Sequence, residues 1–112
     1  MKVSDKQKQY WKYREAQVWK ELFHLTNEQA MVFLKDKIDE HIKKMKVIKA
    51  KKIATRMLRE IGIESMYYVD QKVYYSLVRC IAVELNRREN IKKIGPSRYV
   101  IDDIQHLKNK KV

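Results

Sequence analysis

A chain of 112 residues, 45% hydrophobic and 36% charged, has the composition of a single globular domain: too apolar for a disordered chain, too short for a large multi-part active site. Its 26 Lys and Arg against 14 Asp and Glu give a net charge of +12, which favours a polyanionic partner. Two Gly and one Pro are too few for the turns of an all-β sandwich or barrel, so the fold expected is mainly α with a small β-hairpin.

Ser4-x-x-Gln7 and Thr26-x-x-Gln29 both have capping-box spacing, with Leu25 and Ala30 placed as a hydrophobic staple around the second. The first helix, about Asp5 to Phe23, puts Trp11, Val18 and Leu22 on one stripe, Trp19 and Phe23 beside it, and Tyr10 and Tyr13 near its start. These rings either pack on the core or make this 4–24 element the contact of a homodimer, whose palindromic half-sites would lie about one DNA turn apart. The second helix, about Asn27 to Met45, buries Met31, Leu34, Ile38, Ile42 and Met45 and turns Lys35, Asp36, Lys37, Asp39 and Glu40 outward. Val47-Ile48 is a β-branched patch that reads either as an extended segment or as more helix. Ile53, Ala54, Met57, Leu58 and Ile61 mark another helix, stopped by Gly62. A third long helix begins between Ser65 and Asp70 and ends near Arg88, with Val73, Leu77, Ile81 and Leu85 on one face and Tyr74 and Val78 beside them. Ile91 to Ile101 reads as a two-stranded hairpin turning at Gly95 to Ser97, followed by a basic tail at 102–112.

This order resembles the winged helix-turn-helix superfamily of DNA-binding proteins, as found in small regulators of archaea, plasmids and viruses. Three segments within the 26–101 core carry the resemblance. Ala50-Lys-Lys-Ile-Ala-Thr-Arg-Met-Leu-Arg-Glu-Ile-Gly-Ile63 is like the first helix-turn-helix segment, Val73-Tyr-Tyr-Ser-Leu-Val-Arg79 like the recognition helix, and Ile91-Lys-Lys-Ile-Gly-Pro-Ser-Arg-Tyr-Val-Ile101 like the wing. The resemblance implies a winged helix-turn-helix preceded by an extra N-terminal helix, binding double-stranded DNA in transcription regulation. Gly62 and Val73 are 11 residues apart, longer than the family's usual spacing, so either the turn is extended or the helix gains a turn at its start.

The charge distribution points the same way on separate grounds. Met1 to Ile42 holds 8 basic and 7 acidic residues, whereas Lys43 to Val112 holds 18 and 7. Lys43, Lys44, Lys46, Lys49, Lys51, Lys52, Arg56 and Arg59 follow one another with no acid between the first and the last. The run Lys43 to Arg59 forms the expected backbone clamp, within which Lys49, Lys51 and Lys52 sit at a helix start, where the dipole favours phosphate. On the long helix the face opposite the apolar one carries Lys72, Tyr75, Ser76, Arg79 and Asn86, residue types that reach base edges or phosphates. An ordinary solvated face mixes signs, as the second helix does; this one is basic. Lys92, Lys93 and Arg98 flank the hairpin turn, suited to a minor groove or to blunting an exposed sheet edge.

Catalytic motifs are missing from the sequence. His24, His41 and His106 are scattered, and there is no His-x-x-x-His pair, P-loop, nucleophile elbow or dinucleotide turn. Neither an enzyme nor a metal, cofactor or small-molecule site is expected. Asp36 with Glu40, and Asp102-Asp103, read as surface groups; His41 reads as a core-edge histidine and the single cysteine, Cys80, as a small core residue. With no 18-residue apolar run and no apolar N-terminal stretch, the expected location is intracellular, in cytoplasm or nucleoid, or host cytoplasm for a viral protein, without membrane contact. The alternative reading is an RNA-binding or acidic-protein-binding module using the same basic face; scarce Gly and a minimal sheet disfavour single-stranded RNA.

Overall fold

Helical periodicity governs most of the molecule. The computed structural model of the chain describes residues 5–96 and 98–101, and all side chains of these except Asp5, Lys8, Trp11 and Met66. The Ser4 capping box, the Trp11 side chain, Ser97 of the hairpin turn and the 102–112 tail therefore lie outside the described residues. The elements are α1 (Asp5–Gln17) running into a π-helical turn (Val18–Leu22), α2 (Asn27–Ile42), β1 (Ile48–Lys49), α3 (Ala50–Glu60), a 3-10 turn (Met66–Tyr68), α4 (Gln71–Arg87), β2 (Ile91–Gly95) and β3 (Arg98–Ile101).

The chain between the first two helices reverses through His24 at φ +56°, while the Leu25 N–H donates to the Trp19 carbonyl at 2.8 Å. α2 then starts at the Thr26 capping box: the Gln29 N–H donates to Thr26 Oγ1 (3.2 Å) and the Thr26 N–H to Gln29 Oε1 (3.0 Å). α3 ends in the left-handed turn expected of Gly62, at φ +89°. The Gly62 N–H donates to the Arg59 carbonyl (3.0 Å) and the Ile63 N–H to the Leu58 carbonyl (2.9 Å), the paired bonds that satisfy orphan carbonyls at a helix end.

The 11-residue interval after Gly62 resolves as an extended turn. The Tyr68 N–H donates to the Ser65 carbonyl and the Tyr67 N–H to Ser65 Oγ, closing the 3-10 turn. Asp70 follows as the cap of α4, its Oδ1 accepting from the Lys72 N–H at 2.8 Å.

α4 is the axis of the core. Its Val73, Tyr74, Leu77, Val78, Ile81 and Leu85 are all buried, against α3, α1 and the sheet. The sheet corrects the expected two-stranded hairpin: β1 joins it, giving three antiparallel strands in the order β1-β3-β2. Ile48 pairs with Tyr99, and both are essentially inaccessible to solvent, so burial of this pair fixes the register of a strand only two residues long. Ile94 is the extra residue of a bulge between Lys93 and Gly95.

The aromatic residues at the end of the first helical segment belong to the core. Trp19 is buried, and the Trp19, Phe23 and Phe33 rings lie 5.3 to 6.5 Å apart between centroids. Three apolar assignments need correction. Met31 and Ile61 are exposed, and Met45, though packed against the core, lies beyond the end of α2, so that here the helix bound is what changes. The buried face of α2 is instead Ala30, Ile38, His41 and Ile42, rotated from the expected stripe so that a histidine enters the core and a methionine leaves it. Two ion-pair networks fasten α2 to the rest. Arg88 reaches Glu84, Asp39 and the Lys35 carbonyl, and Glu60 meets both Lys37 and His41. Among the described residues no helix is long and apolar enough to cross a membrane.

Candidate nucleic-acid interface

The start of α3 lacks the features that stabilise a helix N-terminus. Lys49 occupies the cap position with no side-chain cap bond, and the first turn holds no acid. Lys49, Lys51 and Lys52 therefore face the positive end of the helix dipole as well as one another, an arrangement that an anion relieves. With Thr55, Arg56 and Arg59 they line a shallow concavity of about 400 Å³. Five of these six side chains are cationic, and the Thr55 hydroxyl donates to the Lys51 carbonyl at 2.9 Å.

Two contacts extend this surface. In the sheet, Lys49 stands directly opposite Arg98 on β3, and like charges in that position destabilise an antiparallel pair. Strand alternation puts Lys92 on the same sheet face, opposite Val100. On the other side the Lys51 ammonium lies 5.9 Å from the centre of the Tyr75 ring, joining α3 to α4. From Tyr75 the exposed stripe of α4 continues to Lys72 and Arg79 at helical spacing. Among the described residues, no carboxylate pairs with Lys49, Lys51, Lys52, Arg56, Arg59, Lys72, Lys92 or Arg98.

The eleven residues expected at this surface thus divide. Lys49, Lys51, Lys52, Lys72, Tyr75, Arg79, Lys92 and Arg98 form the continuous face. Ser76 does not: it is fully buried, its hydroxyl donating to the Lys72 carbonyl at 2.8 Å, which lets a polar side chain sit in the core without reaching any partner outside. Lys93 is exposed but pairs with Tyr99, on the sheet face opposite to Lys92. Asn86 is exposed at the far end of α4, beside Tyr99; burial raises the pKa of that phenol, and the Asn86 side chain partly offsets the rise. Arg56 and Arg59, expected as part of the basic run, line the same concavity, and Thr55 enters the set from the structure. Their signal was present in the spacing 52, 55, 56, 59, one face of a helix.

Among the described residues, two further places gather reactive or ligating groups. Cys80 is buried in α4; burial foremost, then the Glu15 charge, pushes its thiol up to about 12 against the opposing pull of Arg79, so it is a poor nucleophile. Glu40, His41 and Glu60 gather ligand atoms within 4.8 Å of one another. Lys37 Nζ already lies 2.5 Å from Glu60 and 3.4 Å from Glu40, so an ammonium occupies the position a metal cation would take.

Comparison with known protein families, with curated proteins and with solved structures finds no match in any of the three. The functional reading therefore rests on this surface.

Proposed function

We propose that the chain is a non-catalytic, double-stranded DNA-binding protein of the winged helix-turn-helix type, acting inside the cell in transcription regulation. The observation that carries the reading is the unbroken basic face from Arg98 and Lys49, across the α3 concavity, to Lys51, Tyr75 and the exposed stripe of α4. Phosphates spaced along a duplex match the separated cations Lys49, Lys51, Lys52, Arg56, Arg59, Lys72 and Arg98, which no carboxylate pairs among the described residues, and each one neutralised releases condensed counterions. Two features support the winged-helix type. A short strand between α2 and α3 pairs with a C-terminal hairpin, and a turn closed by its own hydrogen bonds leads from α3 into α4.

Within this reading the roles separate. Lys49, Lys51, Lys52, Arg56 and Arg98 hold phosphates and set the register of the protein on the duplex. Lys72, Tyr75 and Arg79 enter the major groove, where Arg79 reads guanine through its planar fork. Lys92 extends the phosphate contacts along the hairpin.

The test is binding of duplex DNA, single-stranded RNA and heparin at several salt concentrations. Preference for duplex DNA over both competitors, with affinity falling steeply as salt rises, is the expected result. Equal binding to heparin and duplex would reduce the surface to a general polyanion site, and preference for RNA would favour a ribonucleoprotein role.

A further inference from the structure

Tyr67 and Tyr68, at 83% and 80%, are the most exposed of the large apolar side chains described. Both stand on the turn between α3 and α4, and their backbone is held on either side. The Tyr67 N–H donates to Ser65 Oγ (3.2 Å) and the Tyr68 N–H to the Ser65 carbonyl (3.1 Å). Val69 is buried next to them, and Asp70 caps α4. The turn therefore presents two rings from an anchored backbone without packing either into the core. Aromatic faces open to water in this way suit a flat ligand.

Position and charge say which ligand. Lys72, the first cation of the basic stripe on α4, follows Tyr68 by four residues, so the chain keeps the two within about 14 Å. That span is about four nucleotides of one strand at roughly 3.4 Å each. A strand whose phosphate rests on Lys72 thus passes within reach of the tyrosines. Glu64 and Asp70 lie on either side of them in the chain and are exposed, so the turn itself repels phosphate. What it offers a nucleic acid is a surface for the face of a base. In a closed duplex those faces are covered by the neighbouring pairs, and only an unpaired base exposes one.

We infer that Tyr67 and Tyr68 are a stacking platform for unpaired bases, and that the preferred partner is DNA whose duplex opens into a single strand beside the start of α4. The inference rests on the duplex reading of the basic face and adds the junction to it.

The experiment is a fluorescence-anisotropy titration of the full chain with labelled DNA. A blunt duplex is compared with the same duplex carrying a single-stranded extension longer than the span from Tyr68 to Lys72, on either strand in turn, and with that extension stripped of its bases. The extended duplex is expected to bind at least about fivefold tighter than the blunt one for one strand polarity. The baseless extension, which keeps the phosphates, gives no such preference. Tyr67→Ala combined with Tyr68→Ala abolishes the preference, and Tyr67→Phe combined with Tyr68→Phe retains it, since the ring is what stacks. Equal affinity for blunt and extended duplexes, a preference that survives the two alanines, or one shared by the baseless extension would each overturn the platform while leaving the duplex reading in place. A chain that binds no duplex at all would refute that reading and the platform with it.

Discussion

The two ends of α3 solve the problem of charge in opposite ways. At its C-terminal end Glu60 is drawn into a network with Lys37 and His41, so its carboxylate is paired. At its N-terminal end Lys49, Lys51 and Lys52 stand beside a positive helix dipole, with Arg98 across the sheet and no carboxylate among the described residues to answer them. Asp39, Glu60 and Glu84 fasten α2 to α3 and α4, away from the start of α3. Charge that stabilises the fold is paired inside it, and the unpaired cations at the start of α3 are the ones the proposed duplex would neutralise.

Substitutions should therefore sort by region. Arg88→Ala carries the largest expected effect, since it strands the nearly buried Glu84 and releases Asp39. Urea unfolding should show a loss on the order of 3 kcal/mol, with the salt dependence of DNA binding unchanged. Arg79→Ala should behave in the reverse manner, losing about 2 kcal/mol on a preferred site and much less on random DNA. Arg79→Lys should recover little of it, a point charge being no substitute for a planar fork. Equal losses on both kinds of DNA would move base reading from Arg79 to Tyr75 or Lys72.

Two smaller effects sharpen the structural half of the comparison. At Gly62 an added Cβ meets nothing within 4 Å, so Gly62→Ala isolates the strain of φ +89°. Thermal unfolding should report a loss of about 1 kcal/mol. Glu60 supplies the pH dependence. Desolvation pushes its carboxyl up, but the hydrogen bond and charge of Lys37, joined by His41, outweigh it and hold the pKa below the ordinary 4.5. A depressed folded-state pKa stabilises the protein above the unfolded value, and this contribution is lost as pH falls from about there through the folded pKa. Glu60→Gln should flatten that part of the stability profile without altering duplex binding.

How much of this was legible in the sequence depended on whether the cause was local. The spacing of Val73, Leu77, Ile81 and Leu85 and the Thr26-x-x-Gln29 box are local, and both appear as expected. β1 is not local: two residues become a strand only because Ile48 meets Tyr99 across a long loop of chain, which no window of sequence contains. Ser76 and Met31 mislead for a shared reason, in that pattern reading sends polar residues outward and apolar ones inward. The Ser76 hydroxyl satisfies itself on the Lys72 carbonyl, and Met31 sits on a helix face left exposed among the described residues. Lys92 and Lys93 look equivalent as neighbours, yet strand alternation sends them to opposite faces of the sheet.

The central claim is that the uncompensated cations at the start of α3 bind phosphates. Its most direct test is the slope of log affinity against log salt for duplex DNA, compared between the wild-type chain and a Lys49→Ala, Lys51→Ala, Lys52→Ala triple variant. With three phosphate contacts removed, the slope should become shallower by about 2.7, while stability holds or rises as self-repulsion is relieved. A triple variant with the slope of the wild-type chain would contradict the account.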